Sequence, residues 1–161
     1  MNRRRTLHLS CCGLLSLLAG CSDFGSRAPT MHEVGESFVV GSANPIEYRV
    51  NLAIDTDQMP NVIDGFVFVE VEFENLATQA LDIYPELFSL SAAGGSQNEY
   101  VRNETTTLVN PLEARALQPN ESGVGELLYP VPDADVFYLL VEPVRPVEPT
   151  PVHRVRLDNA L

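Results

Sequence analysis

The sequence predicts an all-β protein, an antiparallel β-sandwich of short strands, on three observations. In the stretch Phe66–Asn75, apolar residues fall on alternate positions from Val67, and Glu70, Glu72 and Glu74 take the other face. Such half-buried strands are typical of antiparallel sheets. About nine segments of this kind follow one another, with turn residues every eight to twelve positions or so. No segment after residue 20 has the apolar period of a helix.

The predicted strands share a high content of β-branched and aromatic residues and are bounded by Gly, Pro, Asn or Asp. They lie at 37–40, 46–54, 66–75, 81–84, 87–91, 99–102, 124–131, 136–141 and 152–157. A tight turn is predicted at 117–123, and 105–114 is ambiguous. All three cysteines lie in the first 21 residues and there is no Trp. This excludes the antibody-type core and favours an immunoglobulin-like sandwich without a disulfide, held by aliphatic packing.

Residues 1–20 are typical of an export signal. Arg3, Arg4 and Arg5 form a positive end, and an apolar run follows from Leu7 to Leu18. That run is shorter than the roughly 20 residues needed to span a bilayer. The pair Arg4-Arg5 before Thr6-Leu7 also resembles the twin-arginine export motif. Because arginine triplets occur in ordinary signals too, the general export route stays open.

The signal ends in Leu18-Ala19-Gly20-Cys21, which resembles the lipobox of prokaryotic lipoproteins at every position. The resemblance implies that Cys21 carries a diacylglyceryl lipid and that cleavage falls just before it. We therefore predict a lipidated Cys and flexible tether at 21–33 and a sandwich domain at 34–158. The predicted location is the extracytoplasmic face of the cell membrane. The alternative is a soluble secreted protein in which the cysteine occurs by chance.

The charge composition is strongly one-sided. There are 22 acidic residues and 10 basic ones, all of them Arg, and the net charge is −12. Removal of the signal takes away three Arg and no acid, which leaves −15. Such a surface is expected of a halophilic archaeon, because at molar salt the screening length shrinks to about 3 Å. A GC-rich genome that encodes Arg in place of Lys is the alternative. Either way, we expect no nucleic-acid binding.

Several short motifs together resemble a known family. They are Val34-Gly35-Glu36-Ser37, 66–75, Phe88-Ser89-Leu90 ahead of Gly94-Gly95 and Tyr100, Leu117-Gln118-Pro119, 125–132 and 138–141. The family is the immunoglobulin-like domain of unknown function found on bacterial and archaeal lipoproteins, similar to a secreted mycobacterial immunogenic antigen. One departure is Asn120, where the family's turn has Gly; Asn tolerates the left-handed conformation, so the turn should survive. The resemblance implies a fold and a location, and no catalytic residues.

Acidic loop residues are candidates for a calcium site. Carboxylate oxygens are the ligands that Ca²⁺ takes, and two predicted loops supply pairs of them. These candidates are Asp55, Asp57 and Asp64 in one loop and Asp133 and Asp135 in the other. In a chain this acidic, paired Asp residues are also expected as solvated surface.

Thioether and imidazole groups could bind copper instead. Met31, His32, Met59 and His153 are the candidates, and unrelated surface residues are the alternative. A blue-copper site would need a Cys thiolate, which the domain lacks. The sequence thus leaves an extracytoplasmic metal carrier, for calcium or copper, as the second hypothesis.

Two further features concern modification and catalysis. Asn103 and Asn120 begin Asn-x-Ser/Thr sequons in predicted loops, so they are candidate glycosylation sites. No nucleophile elbow, Lys or domain cysteine supports catalysis, so we predict that the protein is not an enzyme and needs no cofactor. The first hypothesis is therefore a lipid-anchored binding or structural module. Its ligand, a small molecule or a protein, is not indicated by the sequence.

Overall fold

The computed structural model describes residues 29–52, 62–63, 66–92, 97–98, 108–130, 134–145 and 151–157. Within these ranges lie twelve strands and one short 3-10 helix, Pro85–Leu87. The strands in chain order are β1 (Thr30–Glu33), β2 (Ser37–Val40), β3 (Ile46–Leu52), β4 (Val62–Ile63), β5 (Phe66–Asn75), β6 (Leu81–Ile83), β7 (Phe88–Ala92), β8 (Gln97–Asn98), β9 (Arg115–Leu117), β10 (Ser122–Pro130), β11 (Phe137–Val141) and β12 (His153–Arg156).

The strands form two main sheets and one small pair. The first sheet has the order β1-β12-β11-β7-β8, and the second has the order β10-β5-β3-β2, with β4 also pairing with β5. Strands β6 and β9 pair separately. All these pairings are antiparallel except that of β1 with β12, which is parallel. The predicted fold class is confirmed as an all-β, mainly antiparallel sandwich, and the described residues contain no cysteine.

Strand β5 has the alternation that its sequence predicts. Val67, Val69, Val71 and Phe73 are buried, and the residues between them are partly exposed. The strand lies between β3 and β10, so Val71 faces Val50 on one side. These side chains belong to a single apolar core to which both sheets contribute. The period-2 pattern therefore sets which face of the second sheet is dry.

The first strand corrects the predicted tether. The interval 21–33 was expected to be flexible, but Thr30–Glu33 pairs with all of β12 and His32 is buried. The sequence Thr-Met-His-Glu has no apolar alternation, so its strand character comes from this pairing and not from its own propensity. The structure thus extends the sandwich toward the N-terminus as far as Thr30.

The ambiguous segment 105–114 lies, where it is described, along the edge of β10. The backbone N–H of Leu112 donates to the carbonyl of Glu126 (2.9 Å), whose own N–H donates to Asn110 (2.8 Å). A Cβ at Gly125 would lie 2.9 Å from the Cα of Leu112, so this close approach requires glycine. The crossing segment therefore covers an edge that would otherwise be open.

The turn at 117–123 forms as predicted. Asn120 adopts a left-handed conformation with φ of 60°, the role that Gly has in the resembling family. Its backbone N–H donates to the carbonyl of Asn75 (2.8 Å). Asn75 itself is buried, and its side chain donates to the carbonyls of Gln79 (2.9 Å) and Leu117 (2.8 Å) and accepts from the N–H of Ala77 (2.9 Å). This amide therefore joins three backbone segments at one end of the sandwich.

Candidate functional site

Two histidines from opposite ends of the chain meet at the edge of the first sheet. Strand β1 contributes His32 and strand β12 contributes His153, because the parallel pairing brings these strands together. His32 Nε2 and His153 Nδ1 are 2.9 Å apart, and each residue is only 8% exposed. We call these two residues the histidine pair. It is a buried polar contact between the first and the last strand of the sandwich.

The two imidazole rings are coplanar and lie side by side. Their planes differ by 4° and their centres are 5.2 Å apart. With the facing nitrogens 2.9 Å apart, this separation places both nitrogens close to the line between the ring centres. The ring of Phe38 lies under both, 4.0 Å from His32 and 5.6 Å from His153, with interplanar angles of 12°. Phe38 thus shields one face of the pair from water.

Glu36 favours a proton on Nδ1 of His32. Its Oε1 is 3.4 Å from His32 Nδ1, and its Oε2 accepts from the backbone N–H of Glu33 at 3.0 Å. The hydrogen bond from Glu33, and then the one to His32, lower the pKa of the Glu36 carboxyl below its usual range. A carboxylate beside Nδ1 favours a proton there. His32 Nε2 is then the acceptor, and His153 Nδ1–H is the donor.

His153 is uncharged near pH 7. Burial lowers its pKa below the ordinary value, and the charge of a protonated His32 would lower it further. Neutral imidazole is the form that binds metals. The contact therefore includes one imidazole, His153, in the neutral form, at a place that water reaches poorly.

The copper candidates are partly brought together. His32 and His153 meet, whereas Met31 is 48% exposed and its position in β1 alternates onto the opposite face from His32. Met59 lies outside the described residues. Within the part of the chain that the structure describes, no group of three or more His, Cys, Asp or Glu side chains converges on a common point. The sequence hypothesis missed Glu36 and Phe38, which lie on the turn and strand directly after β1.

One of the five calcium candidates lies in the part of the chain that the structure describes. Asp55, Asp57, Asp64 and Asp133 lie outside the described residues. Asp135 is described and is exposed in the turn before β11. The calcium hypothesis accordingly stays a prediction.

Of the candidate lipidation and glycosylation sites, one lies among the described residues. Cys21 and Asn103 lie outside the described residues. Asn120 is exposed at its turn, so an enzyme could reach this sequon. No helix in the described ranges is long and apolar enough to cross a membrane.

The outer face of the second sheet is acidic. Glu47 lies directly opposite Glu74, and Glu70 directly opposite Glu126, across neighbouring strands. Between these pairs the face carries Glu72, which lies 3.7 Å from Arg49 and accepts a hydrogen bond of 2.8 Å from Asn51. Like charges opposite each other destabilise a sheet in dilute buffer. The arrangement fits the halophilic hypothesis, which stays a prediction.

Comparison with known proteins gives structural matches alone. No protein family model matches the chain, and no curated protein matches it in sequence. Among solved structures, it is similar to the yjhA protein of Bacillus subtilis, with 20% identity, a TM-score of 0.60 and coverage of 80% of this chain and 100% of that one. It is also similar to the secreted protein MPT63 of Mycobacterium tuberculosis, with 11% identity, a TM-score of 0.56 and coverage of 82% and 100%.

A third similar structure is ycdA, a candidate lipoprotein of Bacillus subtilis. The identity is 16%, the TM-score is 0.53, and the match covers 76% of this chain and 39% of that one. These likenesses show a shared fold. The predicted similarity to a secreted mycobacterial protein is confirmed at the level of the β-sandwich.

Proposed function

We propose that the protein is a lipid-anchored, extracytoplasmic β-sandwich that acts as a binding or structural module and not as an enzyme. The observation that carries the proposal is Leu18-Ala19-Gly20-Cys21, placed directly after an apolar run of signal length. It is supported by the fold, because similar sandwiches occur in the secreted mycobacterial protein MPT63 and in the candidate lipoprotein ycdA. The lipid at Cys21 would hold the domain at the outer face of the cell membrane.

The distance between the anchor and the fold limits where the sandwich can work. Strand β1 begins at Thr30, nine residues after Cys21. A fully extended chain of that length spans no more than about 30 Å. The proposed anchor thus keeps the sandwich close to the lipid headgroups.

Membrane attachment in this proposal depends on the lipid alone. A mature net charge of −15 is repelled by anionic lipids and offers no electrostatic attachment. Each buried methylene contributes about 0.8 kcal/mol, and two acyl chains suffice for stable anchoring.

An extracytoplasmic metal carrier is the second candidate. For copper, the observation in its favour is the histidine pair, buried and joined by a contact of 2.9 Å. For calcium, the only support is the exposed Asp135 together with four Asp residues outside the described ranges.

We predict that Cys21→Ser abolishes membrane retention. Wild type and variant, produced in the same cells, are fractionated in high salt and detected by immunoblot. The wild type is expected in the membrane pellet. The variant is expected in the soluble fraction, or as uncleaved precursor, because no cysteine at the cleavage site accepts the lipid.

Cys12→Ser is the matched control, since Cys12 lies inside the apolar run and the proposal gives it no role. It should fractionate like the wild type. A Cys21→Ser protein that is cleaved and still sediments with the membrane would overturn the proposed anchor.

A further inference from the structure

The histidine pair already has most of the geometry of a linear two-ligand metal site. The facing nitrogens are 2.9 Å apart, the rings are within 4° of coplanar, and the ring centres are 5.2 Å apart. The lone pair of His32 Nε2 and the N–H of His153 Nδ1 therefore point at each other along one line. A hydrogen bond and a two-coordinate metal ion need the same directions and differ in the nitrogen-to-nitrogen distance.

We propose that the pair binds one copper(I) ion between His32 Nε2 and His153 Nδ1. Imidazole nitrogens bind such metals at about 2 Å, so the nitrogen-to-nitrogen distance must increase by roughly 1 Å. Among the described strands, β1 is at the edge of its sheet and pairs only with β12, so His32 can shift without breaking a second of these pairings. The proposal does not depend on the lipid anchor, because both ligands belong to the folded domain.

The surroundings favour copper(I) over zinc. Zinc sites in proteins are almost always four-coordinate, and within the described residues no third His, Cys, Asp or Glu side chain converges here. Each histidine is 8% exposed and the Phe38 ring covers one face, which limits the water that could complete a tetrahedron. A closed-shell monovalent ion accepts two ligands in a line and carries less charge into this apolar site.

Binding of copper(I) to the pair requires a change of tautomer at His153 and no redox step. Glu36 accepts a hydrogen bond from Nδ1–H of His32, which keeps that proton, so Nε2 already presents a lone pair. His153 binds through Nδ1 once its proton moves to Nε2, and both rings remain neutral. Glu36 is therefore a positioning residue: it orients His32 and does not itself bind the metal.

The test is a copper(I) titration of the full chain carrying Cys11→Ser, Cys12→Ser and Cys21→Ser, so that no thiol competes. Under anaerobic conditions the protein is mixed with the coloured copper(I) complex of bicinchoninate, and loss of its absorbance is measured. We expect one copper(I) per chain. X-ray absorption should show two nitrogen neighbours and no sulfur.

Variants in the same background locate the site. His153→Asn should remove the binding, and Met31→Leu should leave it unchanged, because Met31 is on the opposite face. Glu36→Gln, an exposed substitution that leaves both ligands in place, should weaken binding about 10- to 100-fold and so separates loss of a positioning contact from loss of the fold.

Three results would overturn the copper(I) proposal. They are no copper uptake by the thiol-free chain, equal uptake by His153→Asn, or tighter binding of zinc than of copper(I) in parallel titrations. Failure of the Cys21→Ser fractionation would leave these results unaffected, because the titration measures the domain and not its anchor.

Discussion

Val71→Asp prevents the sandwich from folding, whereas Glu74→Lys, on the same strand, leaves it folded. Val71 is fully buried in the middle of β5, with Val50 and Gly125 opposite it on the two neighbouring strands. An unpaired carboxylate there costs several kcal/mol, which is comparable to the 5–15 kcal/mol or so that stabilises a typical domain. For Val71→Asp we expect the far-UV circular dichroism spectrum of β-strands to be lost, together with the cooperative unfolding transition in urea.

The control depends on the other face of the same strand. Glu74 is only partly buried, and a Lys at this position would lie opposite Glu47 on β3. Opposite charges across strands contribute favourably, so its urea midpoint should match or exceed that of the wild type. If both variants fold equally well, β5 is out of register by one residue and its faces are exchanged.

Asn75→Ala lowers the free energy of unfolding by about 3 kcal/mol or more. The substitution removes two donated hydrogen bonds, to Gln79 and Leu117, and one accepted from Ala77. Asn75 is fully buried, so these backbone groups lose their partner where water reaches them poorly. Urea denaturation followed by circular dichroism gives the difference.

Asn51→Ala is the control for this loss. The side chain of Asn51 also donates hydrogen bonds, to the carboxylates of Glu72 (2.8 Å) and Glu70 (3.4 Å), but it lies on the wet face of β3. Its removal should change the free energy of unfolding by no more than about 0.5 kcal/mol. Equal effects of the two substitutions would mean that the buried amide does not join the segments at that end of the sandwich.

Strand β5 shows what the sequence predicts well. Alternation with period 2 is a local property of the chain, and the burial of Val67, Val69 and Val71 follows from it without knowledge of the neighbouring strands. The turn at Asn120 is equally local, because the preferred backbone conformation belongs to the residue itself. Both were predicted for this reason.

Strand β1 and the histidine pair show where such reasoning ends. The segment Thr30–Glu33 becomes a strand because β12, more than 100 residues later, offers it a parallel partner. His32 and His153 are 121 positions apart, and no spacing rule links them. Glu36 and Phe38 acquire their roles only once the two rings are brought next to them. Contacts that depend on sheet order cannot be derived from local pattern.

The role of Asn75 was predicted in part. Its position at the end of an alternating strand indicates a turn. Its burial and its bonds to Gln79 and Leu117 depend on how β9 and the turn pack against the end of β5. A polar residue at the end of a strand is normally expected to face water.

The measurement that tests the central claim most directly is the mass of the mature N-terminus. The protein is extracted with detergent from the membranes of its producing cells, digested, and its first peptide is analysed by mass spectrometry. The lipid-anchor account predicts that this peptide begins at Cys21 and carries the mass of a diacylglyceryl group. A first peptide that begins elsewhere, or that begins at an unmodified Cys21, would contradict it.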